Sequence, residues 1–280
     1  MTNTQKTTES IQDDQAAEAF PAPNDTIRTL LGRRSIRAFA DEPLDQGIIA
    51  ALEASAQHAA TSRYFNEWSA IRITDPSIAQ AIADEAHQNY ITQAPLLYIF
   101  LADQRRNADL IAAEETKHSE SDDGFILNTS YAFLQAQNDA VLALHAMETA
   151  AYSMNLGCVI LGSIMNDPDA LIDLLHLPKL VYPVLGLAIG KPAQDPAPKP
   201  RMPRPAQIFE NTYQRANEEE INKALQDFDR TVFRYYRDIR HMDAPRKTYS
   251  QIMADKAFGT ADGHRPMADS ISRQGFDWTK

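Results

Sequence analysis

Apolar runs alternate with amphipathic segments along this chain, and the runs predict strands. The run SAIRIT at 69–74 predicts a short strand, and three further runs are continuous enough to lie buried in a sheet: PLLYIFLAD at 95–103, GCVILG at 157–162 and YPVLGLAIG at 182–190. Between them lie segments whose apolar residues recur at helical spacing. Strands that alternate with helices indicate an α/β or α+β architecture.

Capping residues predict where several of the helices begin. Asp25 precedes a helix over about 26–31, and Asp45 precedes one that carries apolar residues on one face, at Ile48, Ile49, Leu52 and Ala56. Asp75 and Asp167 are each followed by proline, which suits the first helical turn. These two helices are expected to run to about residues 87 and 175.

The longest predicted helix covers about 128–156 and is apolar on more than one face. A helix with that pattern lies inside the fold or in a subunit interface. The charged stretch 104–123 predicts a helix and a mobile insertion, and 218–238 predicts a charged helix. Residues 1–24 are polar and predict a disordered tail, whereas residues 191–205 contain six prolines and predict an extended, stiff segment.

The composition of the chain argues against several classes of partner and site. Of the 280 residues 44% are hydrophobic, enough for a substantial core, and the net charge at pH 7 is −11. That acidity argues against nucleic acid or an anionic membrane surface as the main partner. A single cysteine, Cys158, excludes an internal disulfide framework and, within an apolar run, predicts a buried, inert thiol. The N-terminal residues lack the apolar core of a signal peptide and no apolar run is long enough to span a membrane, so a soluble, cytoplasmic protein is expected.

An arginine cluster is the most informative local motif. The stretch GRRSIRAFADEP at 32–43 concentrates Arg33, Arg34, Ser35 and Arg37 in an otherwise acidic chain. Arginine forks match phosphate bidentately, and serine and backbone N–H groups complete such a cradle, so the cluster predicts an anion site. The alternative is a solvated helix end, where cations complement the helix dipole. A second basic cluster, in KPRMP, lies far downstream.

Motifs for nucleophilic, metal or nucleotide chemistry are missing from the sequence. It contains no GxGxxG after a strand, no phosphate-binding GxxxxGK[ST], no HExxH, no GxSxG and no CxxC. His145, on the long apolar helix, is interpreted as a hydrogen-bonded core histidine, and Glu148 as an interface or capping contact. No metal site is expected. Anion-binding groups without a nucleophile suit an enzyme whose cofactor carries the chemistry.

Several segments together resemble the NADPH-dependent nitroreductase / flavin reductase family, and specifically its oxygen-insensitive nitroreductase branch. They are GRRSIRAFADEP, TSRYFNEWSAIRITD, the long stretch from NLGCVILG to GLAIGKP, and KPRMP, in order from about Ile27 to Tyr249. The resemblance implies an α+β fold with a mixed sheet flanked by helices, built as an intertwined homodimer with FMN at the interface. It implies one domain over 25–280, with a C-terminal extension from about residue 191, after the tail 1–24.

The resemblance also implies roles for individual residues. FMN-binding positions carried over from the family are Arg33, Arg34, Ser35, Arg37, Thr61, Ser62, Asn66, Gln88, Tyr90, Leu161, Gly162, Ser163, Lys199 and Arg201. Of these, Lys199 and Arg201 would close on the same phosphate as the arginine cluster. Arg63 and Tyr64 stand where the family has small serines. Arg240 and Arg246 match a basic loop that grips the 2′-phosphate of NADPH.

The implied activity is reduction of nitroaromatics, quinones or flavins by NADPH through FMN, in a ping-pong mechanism. No side chain is expected to be catalytic in itself, because the chemistry takes place on FMN. Two alternatives remain: a dedicated flavin reductase, and a flavin-binding protein of the same fold without significant turnover.

Overall fold

The computed structural model describes residues 24–114, 124–213, 218–239, 247–258 and 267–280. Its sheet has four strands, β1 Trp68–Ile73, β2 Leu96–Asp103, β3 Gly157–Leu161 and β4 Val181–Gly190, in the order β1-β2-β4-β3. All three strand pairs are antiparallel, and Ser35 adds one parallel bridge beside Cys158 at the outer edge of β3. The four apolar runs therefore form strands as predicted.

The described helices accompany this antiparallel sheet, which confirms the α+β class. The described helices are α1 Asp25–Leu31, α2 Gln46–Gln57, α3 Pro76–Glu85, α4 Arg105–Ala113, α5 Ser130–Ser153, α6 Pro168–Leu174, α7 Glu218–Arg234, α8 Tyr249–Phe258 and α9 Met267–Arg273. No helix in the described ranges is long and apolar enough to cross a membrane.

The predicted capping residues are right for three helices and wrong for one. The carboxylates of Asp45, Asp75 and Asp167 accept backbone N–H groups in the first turns of α2, α3 and α6. For α1, however, the acceptor is Asn24, whose Oδ1 lies 3.0 Å from the N–H of Ile27. Asp25 is already helical and pairs with Arg28 one turn later, so the cap lies one residue earlier than predicted.

The long helix α5 lies against the sheet and against α2. Its buried face is rich in alanine, at Ala132, Ala136, Ala140, Ala143 and Ala151, and small side chains allow neighbouring elements to approach closely. Four large apolar residues of the same helix are exposed, Tyr131, Leu134, Val141 and Leu142. The prediction of a helix that is apolar on more than one face is confirmed, because one face is buried and another lies open in this chain.

The chain divides into two compact units. The larger one comprises 29–196 and the C-terminal residues, which return to the start of α5: Asp277 N–H donates to Asn128 O at 2.6 Å, and the rings of Phe276 and Phe133 are 5.0 Å apart. The smaller one contains α7 and α8, where the Ser250 hydroxyl donates to Asp229 Oδ2 at 2.6 Å. The predicted helix over 218–238 is α7 followed by a π-helical turn, Tyr235–Ile239.

Candidate functional site

The arginine cluster lies in an irregular segment whose backbone is hydrogen-bonded to the sheet region at Ile36 and at Ala40. Ile36 N–H donates to Cys158 O in β3 at 2.8 Å. Ala40 N–H donates to Lys191 O at 2.9 Å, immediately after β4. The packing is close, since a Cβ on Gly157 would come within 2.7 Å of the Ile36 side chain. The segment Arg33–Arg37 is therefore held beside the sheet and is not the solvated end of α1.

The three arginines of this segment have three different environments. Arg33 Nε donates to Glu148 Oε1 of α5 at 2.9 Å, and the side chains are 27% and 2% exposed, respectively. Arg34 forms an ion pair with Asp195, whose side chain is 82% exposed. The Arg37 guanidinium lies 5.9 Å from the centre of the Tyr90 ring. Among the described residues, Arg37 is the one of the three without a carboxylate partner.

Gln88 and Tyr90 lie with Arg37, as the predicted site requires. They follow α3, where His87 adopts a left-handed conformation with φ of 53° and turns the chain into the short 3-10 helix Asn89–Gln93. The Tyr90 hydroxyl donates to Gln88 Oε1. Arg37, Tyr90 and Gln88 therefore form one contact chain of a cation, an aromatic ring and an amide.

The end of β3 offers open space and an unsatisfied hydroxyl. A Cβ built on Gly162 would have no neighbour within 4 Å. Ser163 Oγ is buried without a hydrogen-bond partner in the described part of the chain. Asn166 Nδ2 donates to Glu85 O at 3.4 Å, which ties this turn to the end of α3, close to Gln88 in sequence. Leu161, Gly162 and Ser163 thus lie at the same end of the fold as Gln88.

The loop from Thr61 to Asn66 is anchored by one buried carboxylate of α5. Asp139 accepts from the Thr61 hydroxyl, from Ser62 N–H at 2.9 Å and from Glu67 N–H at 3.1 Å. Within the loop Arg63, Tyr64 and Asn66 have positive φ angles of 50°, 63° and 50°. Such backbone conformations are costly for arginine and tyrosine, although asparagine adopts them more readily, so the anchor fixes a loop of unusual shape.

Comparison with known proteins decides the family. The model of the nitroreductase family matches residues 30–191, and that of the nitroreductase family C-terminal domain matches residues 199–279. This chain belongs to the nitroreductase family. Among its relatives, an "FMN reductase (NADPH)" of Bacillus subtilis strain 168 is 36% identical over 77% of this chain and 84% of its own length. An "NADPH-dependent oxidoreductase" of Staphylococcus saprophyticus is 32% identical over 88% of this chain and 96% of its own.

Solved structures of the nitroreductase family share the fold. The "NfrA1 nitroreductase from B. subtilis" superimposes with a TM-score of 0.81 at 32% identity, covering 90% of this chain and 99% of its own. The resemblance seen in the sequence is thereby confirmed, both in family and in fold.

The roles of four predicted nitroreductase site residues stay predictions. Lys199 and Arg201 belong to the smaller of the two units, whereas the arginine segment belongs to the larger one, so their convergence on one phosphate stays a prediction. Arg240 and Arg246 lie outside the described residues, and so does most of the acidic stretch 116–124.

Sequence reasoning missed the role of Asp139 and assigned Glu148 to an interface or capping contact, whereas Glu148 pairs with Arg33. Asp139 and Glu148 are both buried on α5, and each anchors a different predicted segment. A signal for both was present in the sequence, because they are two acidic residues on an otherwise apolar helix. A carboxylate that becomes buried there needs a partner for its charge. The interpretation of His145 as a core histidine is wrong: its side chain is 57% exposed and contacts Glu148 from the surface at 3.2 Å.

Burial raises the pKa of two groups beside the site. Burial raises the pKa of the Cys158 thiol, an effect that Glu148 reinforces, so the predicted buried and inert cysteine is confirmed. Glu67 is fully buried, and neither carboxyl oxygen has a hydrogen-bond partner among the described residues. Burial raises the pKa of Glu67, and the Asp139 charge adds to this against the opposing influence of Gln104 and Arg63.

Proposed function

We propose that this protein is an FMN-dependent oxidoreductase that uses NADPH to reduce nitroaromatics, quinones or flavins. The observation that carries the proposal is the arginine segment, fixed by its backbone beside β3 in a chain of the nitroreductase family. Relatives named for FMN reduction by NADPH support the choice of cofactor and electron donor.

The residues of the site fit a phosphorylated cofactor. Arg37 lacks a carboxylate partner in the described part of the chain and can take a phosphate as its counter-ion. The buried Ser163 Oγ lacks a partner there too and can bond a polar cofactor atom, beside the open space at Gly162. The arginine segment would hold the phosphate and ribityl chain, while Gln88, Tyr90 and the end of β3 would line the ring.

The chain's own contribution is binding and exclusion of water. When bound, FMN would supply the redox chemistry that links NADPH oxidation to reduction of the acceptor in a ping-pong cycle. The buried strands β3 and β4 shield one side of the site from water. Arg240 and Arg246 are the proposed contacts for the NADPH 2′-phosphate, and because NADPH is an intracellular reductant, the proposed compartment is the cytoplasm.

A homodimer is part of the proposal. The apolar face of α5 with Tyr131, Leu134, Val141 and Leu142 is exposed and offers a contact surface for a second copy. Asp139, which anchors the Thr61 loop, lies nine residues from Glu148, which anchors Arg33, so the two anchors are about 13 Å apart along the helix. Two-fold pairing through this helix supports a site that combines groups from both protomers.

A second candidate, a dedicated flavin reductase, is favoured by the relative named "FMN reductase (NADPH)". It keeps the same site and differs in the acceptor, which is free flavin. Steady-state rates with FMN, a nitroaromatic and a quinone at equal NADPH distinguish the two: a preference for free flavin over both other acceptors supports the second candidate.

The visible spectrum of the purified protein, followed by anaerobic NADPH, tests the proposal. We expect oxidised-flavin bands that bleach with NADPH and return when a nitroaromatic or quinone is added. Bands that bleach but do not return with any acceptor would identify a flavin-binding protein without turnover. A protein that stays colourless after FMN is added would refute the proposal.

A further inference from the structure

An arginine and three aromatic rings lie together on the surface at the loop that Asp139 anchors. The Arg63 guanidinium is 5.0 Å from the centre of the Phe65 ring and 5.7 Å from that of the Tyr131 ring at the start of α5. Tyr64 is 86% exposed, and the other two rings are exposed as well. We call Arg63, Tyr64, Phe65 and Tyr131 the Arg63 patch. It places a cation beside apolar rings on a chain whose net charge is −11.

The charge of Arg63 is not balanced by a carboxylate within the described ranges. Its contacts there are the two rings, and the buried Glu67 carboxyl next to the loop makes no hydrogen bond with it. A guanidinium that stacks on an aromatic face keeps its N–H donors in its own plane, where an anion can accept from them. The patch therefore combines a binding group for negative charge with rings that suit a planar molecule.

The backbone of the loop holds these side chains in place. Arg63 and Tyr64 have φ angles of 50° and 63°, in the left-handed region that is unfavourable for both residue types. The Asp139 carboxylate maintains this conformation by accepting from Thr61 and Ser62 just ahead of them. Backbone strain that a buried anchor maintains is typical of functional loops. Because the family has small serines at both positions, the arginine and the tyrosine are features of this chain.

The loop also relates the patch to the electron acceptor. The family resemblance places Thr61, Ser62 and Asn66 at the flavin, and the two side chains of the patch stand between them in sequence. Tyr131 belongs to the exposed face of α5 that is the proposed homodimer contact, where sites are shared between protomers. Arg63 and Tyr64 are thereby candidates for contact with a molecule that approaches the flavin.

We infer that the Arg63 patch selects the acceptor, so that planar aromatic or quinone acceptors with a carboxylate, sulfonate or phosphate group are preferred over neutral ones. Arg63 binds the anionic group, and Tyr64 contacts the ring of the acceptor. The inference rests on the proposed function and narrows its acceptors to one chemical class. Arg63 is a specificity residue in it and takes no part in the redox step.

Kinetics with a matched pair of acceptors test the inference. 4-Nitrobenzoate is an anion at neutral pH and 4-nitrobenzyl alcohol is neutral. Their different intrinsic reactivities cancel when the ratio of their kcat/KM values is compared between variants. Arg63→Ser should lower this ratio about tenfold, mainly through the KM for 4-nitrobenzoate. Arg63→Lys keeps the charge and should recover part of the ratio. Arg105→Ser, which removes an arginine from an exposed helix, is the control and should leave the ratio unchanged.

Separate half-reactions distinguish the acceptor from NADPH, which is also an anion. In stopped-flow measurements, Arg63→Ser should slow reoxidation of the reduced protein by 4-nitrobenzoate and not its reduction by NADPH. Added salt should lower the ratio of the two acceptors in the unaltered protein and change it little in Arg63→Ser, because salt screens the attraction that the variant has lost. A purely structural role of Arg63 would not produce this difference.

Three outcomes would overturn the inference. An unchanged ratio in Arg63→Ser would show that the arginine does not sense the charge of the acceptor. An equal loss for both acceptors would make Arg63 a structural residue of the loop. Slower reduction by NADPH with unchanged reoxidation would assign Arg63 to the nucleotide. An unaltered protein that holds no flavin, or whose flavin NADPH does not reduce, is a distinguishable result, since it refutes the proposed function itself and the inference with it.

Discussion

At the residue scale, three arginines within five positions have different partners. Arg33 meets a buried carboxylate, Arg34 an exposed one and Arg37 an aromatic ring. The sequence predicted the cluster and its chemistry, but it could not separate the three, because their partners lie far away in the chain. Partner identity is decided by how the fold brings distant segments together, and no local pattern contains it.

Arg37, which has no carboxylate partner in the described ranges of the chain, leads to the first prediction. Arg37→Ala should weaken FMN binding by about 1.5–3 kcal/mol, the range for hydrogen bonds to charged groups. Equilibrium dialysis against FMN, or the flavin content after gel filtration, measures the loss. Arg105→Ala is the matched control, because Arg105 pairs with Asp109 on an exposed helix and should leave flavin content unchanged. Equal flavin content in Arg37→Ala and the unaltered protein would contradict the assignment.

Glu67 gives a pH-dependent prediction at the same scale. The pKa of Glu67 in the folded protein is raised above its ordinary value of 4.5. A raised pKa means that the folded state holds the proton more tightly than the unfolded state, so this contribution to stability is complete below pH 4.5 and is lost as the pH rises through the raised value. The glutamine side chain of the Glu67→Gln variant is neutral at every pH, so this variant should not lose stability in that way as the pH rises.

Urea unfolding at a series of pH values checks this prediction. The free energy of unfolding of the unaltered protein should fall relative to Glu67→Gln as the pH increases above 4.5 and passes through the raised pKa of Glu67. Glu42→Gln is the control, since Glu42 is an exposed carboxylate that pairs with Lys191 on the surface. Parallel pH profiles for the unaltered protein and Glu67→Gln would show that Glu67 is ionised in the folded state.

At the element scale, α5 organises the site. The strands and most helix starts could be predicted from the sequence, because apolar runs, capping carboxylates and Asp-Pro pairs act locally. The role of α5 could not be predicted, because Asp139 and Glu148 become anchors only through the segments that pack on the helix. Left-handed residues such as Arg63 and Tyr64 were unpredictable for the same reason: an anchor distant in sequence imposes their backbone conformation.

Removing the anchor of the Thr61 loop tests this role of α5. Asp139→Ala should lower the free energy of unfolding by about 3 kcal/mol, because it leaves three donors of the loop without their charged acceptor. Asp139→Asn keeps an acceptor oxygen and should lose less. Urea denaturation measures both, and Asp109→Ala, a change on an exposed helix, should match the unaltered protein. An Asp139→Ala variant as stable as this control would mean that the loop does not depend on the carboxylate.

At the scale of the whole molecule, the family resemblance predicted the fold class, which local patterns left undecided. Alternation of strands and helices left α/β and α+β open, and the all-antiparallel pairing of β1, β2, β4 and β3 decides for the latter. The division into two units follows from packing across long separations in sequence, since the C-terminal residues rejoin the larger unit. Periodicity within a segment does not report such packing.

The exposed apolar face of α5 yields the last prediction. Leu142 is 45% exposed in the single chain, in line with Tyr131, Leu134 and Val141 on one side of the helix. If this face joins two copies, Leu142→Glu buries a carboxylate in the interface and should shift the protein from dimer to monomer in sedimentation velocity. Leu110→Glu is the matched control, because Leu110 is 61% exposed on α4 and outside that face.

The flavin content of the same variants tests whether FMN binding depends on the dimer. In the proposed homodimer the Thr61 loop and the arginine segment, anchored at Asp139 and Glu148 of one helix, serve sites shared between protomers. Monomeric Leu142→Glu should then lose FMN together with the dimer, whereas Leu110→Glu should keep both. A Leu142→Glu protein that stays dimeric would assign the interface to another surface. A monomer that retains full flavin content would mean instead that one chain completes the site alone.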